Sequence, residues 1–134
     1  MDTGPLVAIL AERDERHALC LRALESLSAS VFSCWPVITE AAWLLRANPG
    51  AVSLLLRRVS EGIPGMLPLS SSEAGPIASL LEKYHSLRPQ LADASLVYLA
   101  GRESIDTIFT LDDRDFSVYR SARNRRFRII PESL

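Results

Sequence analysis

The sequence has 134 residues, of which 48% are hydrophobic and 23% are charged, and its formal net charge is −1. This composition excludes a disordered chain and predicts a single globular domain, residues 1–134, that can build a core without disulfide bonds. Arg, Glu or Pro interrupts every apolar run before the ~20 residues of a membrane span, and the first residues do not resemble a signal peptide, so we expect a cytoplasmic protein.

The predicted elements alternate between helices and short strands. Hydrophobic periodicity, capping residues and prolines predict six helices, at about 4–11, 15–27, 36–46, 51–61, a segment through 84 that Ser71 or Ser72 can cap, and 92–102. Short apolar runs predict four strands, at 31–34, 66–69, 107–111 and 127–130. The segment 114–124 is expected to be helical or irregular.

This alternation is typical of an α/β protein, in which helices cover both faces of a central parallel sheet to give three α/β/α layers. In such sheets, ligands bind beyond the carboxyl ends of the strands. Functional residues are therefore expected in the segments that follow the strands.

The two cysteines, Cys20 and Cys34, lie in otherwise apolar stretches. We expect both to be small buried residues in a reducing compartment, because neither has the neighbouring Cys or His that a zinc site requires. Thiol catalysis and zinc chemistry are not favoured.

The charge is unevenly distributed near the C-terminus. The stretch 114–128 contains one acid, Asp115, and six arginines, at positions 114, 120, 123, 125, 126 and 128. A solvated face and a contact with phosphate groups both explain such a run, because the guanidinium group matches phosphate oxygens. The sequence does not decide between them.

Four acids occupy positions where a carboxylate is costly. Asp93 shares the apolar face of its predicted helix, and Glu40 lies at the edge of the apolar stripe of another. Asp112 follows an apolar strand, and Asp2 precedes a Gly-Pro helix start. Each also has an ordinary structural explanation: a helix cap for Asp2 and Asp93, a salt bridge for Glu40, and a turn for Asp112.

Together, these acids predict a metal site. Several ionised carboxylates cannot share a pocket unless a cation compensates their charge. Mg²⁺ and Mn²⁺ prefer oxygen ligands, and no His or Cys accompanies the set. A divalent-cation site is therefore the favoured interpretation.

Four segments, taken in order, resemble the PIN-domain ribonucleases, and most strongly the VapC-type toxins of type II toxin–antitoxin systems. The resemblance spans nearly the whole chain, and the segments are Asp2-Thr3-Gly4-Pro5-Leu6-Val7-Ala8, Thr39-Glu40-Ala41, Ala92-Asp93-Ala94-Ser95 and Thr110-Leu111-Asp112-Asp113-Arg114-Asp115-Phe116.

The resemblance implies an α/β/α PIN fold that binds one or two Mg²⁺ or Mn²⁺ ions and cleaves single-stranded RNA. It implies that the catalytic, metal-binding acids are Asp2, Glu40, Asp93 and Asp112, with Asp115 as a further metal ligand. Thr110 would hold the acid-bearing loop through its hydroxyl group. The same resemblance implies a protein antitoxin and a homodimer. Trp43, Leu54 and Leu55 either contact such partners or belong to the core.

One departure from the family concerns the first strand. Family members usually carry several apolar residues before the first acid, whereas only Met1 precedes Asp2 here. Either translation starts upstream or the first strand is truncated, and a missing strand is expected to leave Asp2 poorly anchored. Two alternative functions also stay open: an inactive PIN-like binding module, and an RNA-processing PIN nuclease that belongs to no toxin pair.

Overall fold

The structure is a computed structural model that describes residues 1–132. This part of the chain forms seven α-helices, namely α1 (Thr3–Leu10), α2 (His17–Ser26), α3 (Trp35–Leu44), α4 (Pro49–Ser60), α5 (Ala74–Lys83), α6 (Leu91–Arg102) and α7 (Asp113–Phe116). It also forms four short strands, namely β1 (Phe32–Ser33), β2 (Gly65–Met66), β3 (Thr107–Phe109) and β4 (Arg128–Ile130).

The strands form two parallel pairs. β1 lies beside β2, with Phe32 opposite Gly65. β3 lies beside β4, with Ile108 opposite Ile129. Because parallel strands need long crossovers, helices intervene between the members of the first pair, and α7 with a hairpin intervenes in the second.

Met1 and Asp2 connect the two pairs. The nitrogen of Met1 donates a hydrogen bond of 2.6 Å to the carbonyl of Phe32 in β1, and Ser33 Oγ donates to the Met1 carbonyl at 2.8 Å. On the other side, the amide of Asp2 donates to the carbonyl of Phe109 in β3 at 2.8 Å. Met1–Asp2 therefore lies between the two strand pairs, in the position of a central strand.

A cavity of about 330 Å³ continues this central position on the far side of Met1 from Asp2. Its walls are residues 31–33 and 105–109, which run beside each other, together with apolar side chains of α6, including Leu96, Leu99 and Ala100. The two strand pairs are thus separated by apolar space where Met1 does not fill the gap.

Helix α6 is the central helix of the core. Seven of its 12 residues are buried, namely Ala92, Ala94, Ser95, Leu96, Val97, Leu99 and Ala100. Small residues on this helix allow close approach to α3 and α5, which it contacts. Phe116 and Tyr119 stack edge-to-face with ring centroids 5.0 Å apart, and Tyr119 stacks in the same way on Tyr84.

The predicted elements are all present, with boundaries that differ by a few residues. The strands are shorter than predicted: β1 begins after Val31, and β3 ends before Thr110. The segment 114–124 divides into the end of α7 and part of a hairpin closed by an antiparallel bridge between Arg120 and Arg126. Cys20 and Cys34 are fully buried, as predicted.

The apolar residues considered for partner contacts differ in exposure. Leu55 is only 1% exposed and belongs to the core, whereas Leu54 is 40% and Trp43 63% exposed. Among residues 1–132, none of the helices combines the length and apolarity that crossing a membrane would require.

Candidate active site

Asp2 is held firmly at the junction of the two strand pairs. Its side chain is buried, and it caps α1 by accepting the Thr3 amide at 2.8 Å. Its other oxygen, Oδ2, accepts the Thr110 hydroxyl at 2.7 Å. Burial raises the pKa of Asp2, against the lowering effect of these hydrogen bonds. The expectation that Asp2 is poorly anchored is therefore wrong, because these contacts hold both oxygens of its carboxylate.

Thr110 joins Asp2 to the loop that carries two further acids. Its hydroxyl donates to Asp2 and accepts the amide of Asp112 at 3.0 Å. Asp112 then caps α7 by accepting the amide of Asp115 at 3.0 Å. The predicted role of Thr110, holding the acid-bearing loop through its hydroxyl, is confirmed.

Asp93 lies in the first turn of α6, with one oxygen accepting the Gln90 amide at 3.0 Å in a capping box. Its pKa is raised to about 6, chiefly by burial and further by the charges of Asp2, Glu40 and Asp112. The charges of Asp2, Glu40 and Asp112 therefore act on Asp93, so the four acids lie near one another around it.

Glu40 projects from α3 and is half-buried. Its carboxylate accepts a hydrogen bond from the hydroxyl of Thr3. Since Thr3 follows Asp2 directly, this bond brings α3 to the same junction. Thr3 was not identified from the sequence, although its hydroxyl is the polar group nearest along the chain to the first acid.

Asp115 lies at the outer side of the group. Partial burial and the neighbouring charge of Asp112 raise its pKa, while Arg114 lowers it. The ordinary explanations offered by the sequence are also present, since Asp2 and Asp112 are N-caps and Asp93 belongs to a capping box. Capping fixes each backbone position, so it is part of how the carboxylates are brought together.

Two buried hydroxyl groups have no partner in the described part of the chain, and one of them, that of Tyr119, lies near the acids. The hydroxyls of Tyr119 and Ser95 have no hydrogen-bond partner among residues 1–132. Burial raises the pKa of Tyr119, and the charges of Asp93, Asp115, Asp112 and Asp2 raise it further, so its hydroxyl lies near the carboxylates. Tyr119 was not identified from the sequence, because a single tyrosine in an arginine-rich stretch does not indicate proximity to acids that lie far away along the chain.

The donor set fits a hard divalent cation, although it needs adjustment to bind one. In residues 1–132, no three of the acids are close enough as they stand to share an ion. Glu40, Asp93, Asp112 and Asp115 are partly exposed, and binding an ion would require Glu40, Asp93 and Asp112 to exchange hydrogen bonds that they accept for bonds to the ion. The donors are all oxygens, and the buried hydroxyl of Tyr119, which has no partner among residues 1–132, is suited to bonding an ion's water molecules. Bound Mg²⁺ or Mn²⁺ would be held by Asp2, Glu40, Asp93, Asp112 and Asp115.

Comparison with known proteins agrees with this geometry. Residues 1–121 match the family model described as PIN domain. The chain belongs to the PIN-domain family. The prediction of family and of an α/β PIN fold, made from four short motifs, is thereby confirmed.

Two relatives illustrate the relationship of this PIN domain to known proteins. It is 30% identical over 133 residues to Ribonuclease VapC26 of Mycobacterium tuberculosis strain ATCC 25618 / H37Rv, an alignment that covers 98% of each chain. Its fold is similar to the crystal structure of Mycobacterium tuberculosis VapC20, described as a sarcin-ricin loop cleaving toxin. The TM-score is 0.72 at 16% identity, covering 84% of this chain and 88% of the other.

Proposed function

We propose that this PIN-domain protein is a metal-dependent endoribonuclease that cleaves single-stranded RNA and acts as the cytoplasmic toxin of a toxin–antitoxin pair. The observation that carries this proposal is the position of Asp93, whose pKa is raised to about 6 by burial and by Asp2, Glu40 and Asp112. The full-length similarity to a VapC ribonuclease supports the same conclusion.

A bound cation would neutralise the negative charge of the carboxylates at this site. RNA carries a negative phosphate at every nucleotide, so an uncompensated group of carboxylates repels the substrate as well as itself. Bound Mg²⁺ or Mn²⁺ would neutralise the acids, lower the pKa of a water molecule and stabilise charge on the scissile phosphate. The catalytic set is Asp2, Glu40, Asp93 and Asp112, with Asp115 as an additional ligand.

The protein residues have separate tasks in this proposal. One of the carboxylates would assist as general base and accept a proton from the attacking water. Thr110 and Thr3 hold Asp2, Asp112 and Glu40 in fixed relative positions through side-chain hydrogen bonds. Such positioning matters because misplacement of a catalytic group by about 1 Å can cost 10²-fold in rate.

A protein antitoxin and a homodimer are part of the proposal. A cavity of about 340 Å³ lies between α1, α2 and α4, lined mainly by apolar side chains such as Ile9, Leu21 and Leu54. Several large apolar side chains are also exposed, namely Trp35, Trp43, Leu44, Leu56, Ile63 and Leu91. Exposed apolar surface of this kind is suited to contacts between proteins.

The test is cleavage of labelled single-stranded RNA by purified, antitoxin-free protein with Mn²⁺ or Mg²⁺, beside an EDTA control. The variant is Asp93→Asn, and the matched control is Asp14→Asn, whose carboxylate accepts a hydrogen bond from Arg16 in the α1–α2 loop. We expect wild-type protein and the Asp14 variant to cleave, and Asp93→Asn to lose at least about 10²-fold in rate.

The alternatives give different results. A protein that cleaves no RNA and binds no Mn²⁺ in calorimetry is an inactive binding module, which contradicts the proposal. A nuclease that cleaves RNA but does not arrest growth when expressed without an antitoxin is an RNA-processing enzyme, which contradicts the toxin assignment alone.

A further inference from the structure

A tight hairpin precedes β4, and arginines dominate its sequence. We define the arginine hairpin as residues 120–128, closed by the antiparallel bridge between Arg120 and Arg126. The amide of Ser121 donates to the Arg125 carbonyl at 2.9 Å, and the amide of Asn124 donates to the Ser121 carbonyl at 2.9 Å. Asn124 adopts φ 56°, a left-handed conformation that asparagine tolerates well at a turn.

The hairpin is fixed to the rest of the protein at both ends. Arg120 donates through its guanidinium to the carbonyls of Ser117, Val118 and Tyr119. At the other end, Phe127 is 6% exposed and anchors the chain in the core before β4. The arginines between these anchors are therefore displayed on a preformed support, which reduces the entropy lost on binding.

Three of these arginines surround one cavity. Arg123, Arg125 and Arg126 are exposed and line a cavity of about 210 Å³ together with the serines Ser104 and Ser121. None of the three guanidinium groups forms a salt bridge with an acid among residues 1–132. Asp106 also lines the cavity and offsets one positive charge, so the local balance remains positive.

The arginine hairpin and the carboxylates lie at opposite ends of β3. The amide of Arg128, where β4 begins, donates to the carbonyl of Asp106, which precedes β3. Asp112 instead follows the carboxyl end of β3. Since an extended chain rises about 3.3 Å per residue, the six steps from Asp106 to Asp112 span at most about 20 Å.

We infer that the arginine hairpin is a second RNA-binding site, which takes phosphate groups of the substrate at the end of β3 opposite the bond that is cleaved. This inference rests on the proposed ribonuclease function. Guanidinium groups that lack protein partners suit phosphate oxygens, and a polyanion approaching an acidic site needs positive charge elsewhere on its path. The substrate is therefore an RNA long enough to reach both ends of β3.

The experiment measures binding of a fluorescein-labelled, unstructured 24-nucleotide RNA by anisotropy at several salt concentrations. All proteins carry Asp93→Asn, so that the RNA stays intact. The test variant adds Arg123→Gln, Arg125→Gln and Arg126→Gln. The matched control adds Arg13→Gln, Arg16→Gln and Arg22→Gln, three exposed arginines around α2 that change the net charge equally.

We expect the hairpin variant to bind about 30- to 100-fold more weakly at 0.1 M salt, with the slope of log K against log salt reduced by about 2. These figures follow from the loss of three phosphate contacts on a single strand. The control should bind like its parent. With Asp93 restored, the hairpin variant should show a raised KM and an unchanged kcat on the 24-nucleotide RNA, and normal cleavage of a 4-nucleotide RNA.

Other results overturn the inference in recognisable ways. If the hairpin variant binds RNA as tightly as its parent, the arginine hairpin is not a second RNA-binding site. Cleavage by wild-type protein would then still support the ribonuclease proposal. Equal loss in both triple variants shows an effect of net charge alone. If the hairpin variant binds RNA normally but no longer retains a co-expressed antitoxin, the arginines contact an acidic segment of that protein instead of RNA. Wild-type protein that neither binds nor cleaves RNA overturns both proposals together.

Discussion

The hydroxyl of Thr110 donates a hydrogen bond of 2.7 Å to the carboxylate of Asp2, across 108 positions of sequence. The amide of Thr110 also donates to the Ile130 carbonyl at 2.9 Å, so one residue connects the first acid with the end of β4. Its hydroxyl accepts the Asp112 amide in turn. Thr110 therefore sets the relative positions of two acids that arrive from opposite ends of the chain.

Replacing Thr110 by valine should destabilise the protein and weaken metal binding. The substitution leaves the buried Asp2 oxygen without its donor, at a cost of about 1–3 kcal/mol in the free energy of unfolding. Urea unfolding and Mn²⁺ calorimetry measure the two effects. Thr110→Ser keeps the hydroxyl and should retain most of both, and Thr107→Val, at an exposed hydrogen bond in β3, should be close to neutral. A Thr110→Val protein as stable as wild type would contradict this role.

Replacing Asp93 by asparagine should stabilise the metal-free protein at neutral pH. Because the pKa rises from 3.8 to about 6 on folding, the folded protein keeps a proton that the unfolded chain releases. Wild-type stability therefore falls as the pH rises from about 4 to about 6, and levels off above that. Since Asp93 is partly exposed, we expect the variant to gain only about 1–2 kcal/mol at pH 7.5 after allowing for solvent screening.

Urea unfolding in EDTA at pH 4.5 and pH 7.5 measures this effect, with Asp14→Asn as the control. The raised pKa of Asp2 acts in the same direction, so part of the slope should remain in the Asp93 variant. If the free energy of unfolding depends on pH identically in wild type and Asp93→Asn, folding does not raise the pKa of Asp93.

Divalent cations should reverse the gain in stability expected for the metal-free Asp93→Asn variant. An ion that binds the folded state raises its stability by mass action, so Mn²⁺ should raise the Tm of wild-type protein. The Asp93→Asn variant lacks one ligand and should respond much less. Differential scanning calorimetry with Mn²⁺ and with EDTA separates the cases, and Asp14→Asn should follow wild type. An equal response in all three proteins would place the ion elsewhere.

Replacing Glu73 by glutamine should lower the stability of the protein at neutral pH and leave RNA cleavage unchanged. Glu73 accepts the Ser70 amide, the Tyr98 hydroxyl and the Arg102 guanidinium, and these bonds, led by that from Ser70, lower its pKa to about 2. The Glu73 carboxylate therefore stabilises the folded protein fully above pH 4.5, the pKa in the unfolded chain, and this stabilisation disappears as the pH falls through about 2. The variant should have a lower Tm than wild type at pH 7 and nearly the same Tm near pH 2, and a loss of RNA cleavage would reveal an unforeseen link to the site.

Adding two apolar β-branched residues before Met1 should stabilise the protein. Residues placed there start inside the cavity between β1 and β3, where Ile-Val can extend the short central strand and bury apolar surface. We expect a higher Tm than for a Gly-Ser insertion of the same length, measured by thermal unfolding. A Gly-Ser protein as stable as the Ile-Val protein would show that the cavity is not a strand position.

The order of elements followed from the sequence because periodicity and capping are local signals. Pro36 lies in the first turn of α3, within the predicted range 36–46, whereas α4 begins at Pro49, two residues before its predicted start. The acids were also identifiable, because Asp93 stands on an apolar face and Asp112 follows an apolar strand. Their catalytic and metal-binding roles stay predictions until the variants above are measured.

The contacts that hold the site were harder to predict, because they join distant parts of the chain. Nothing local to Tyr119 indicates that its hydroxyl is buried near carboxylates. The anchoring of Asp2 failed as a prediction for the same reason, since it depends on Thr110 and on the Phe109 carbonyl. The division of the arginines between Arg120, which bonds carbonyls, and the exposed members of the hairpin also required the tertiary structure.

Met1 and Asp2 place the proposed catalytic centre at the junction between two halves of the protein. The backbone hydrogen bonds that connect the two strand pairs pass through Met1 and Asp2, and Asp2 is itself one of the acids. A fluctuation that parts the halves therefore displaces an acid while each strand pair keeps its own hydrogen bonds. Activity should consequently disappear on heating before the helical signal does, and amide exchange at Asp2 should be faster than at Ile108, inside the β3–β4 pair.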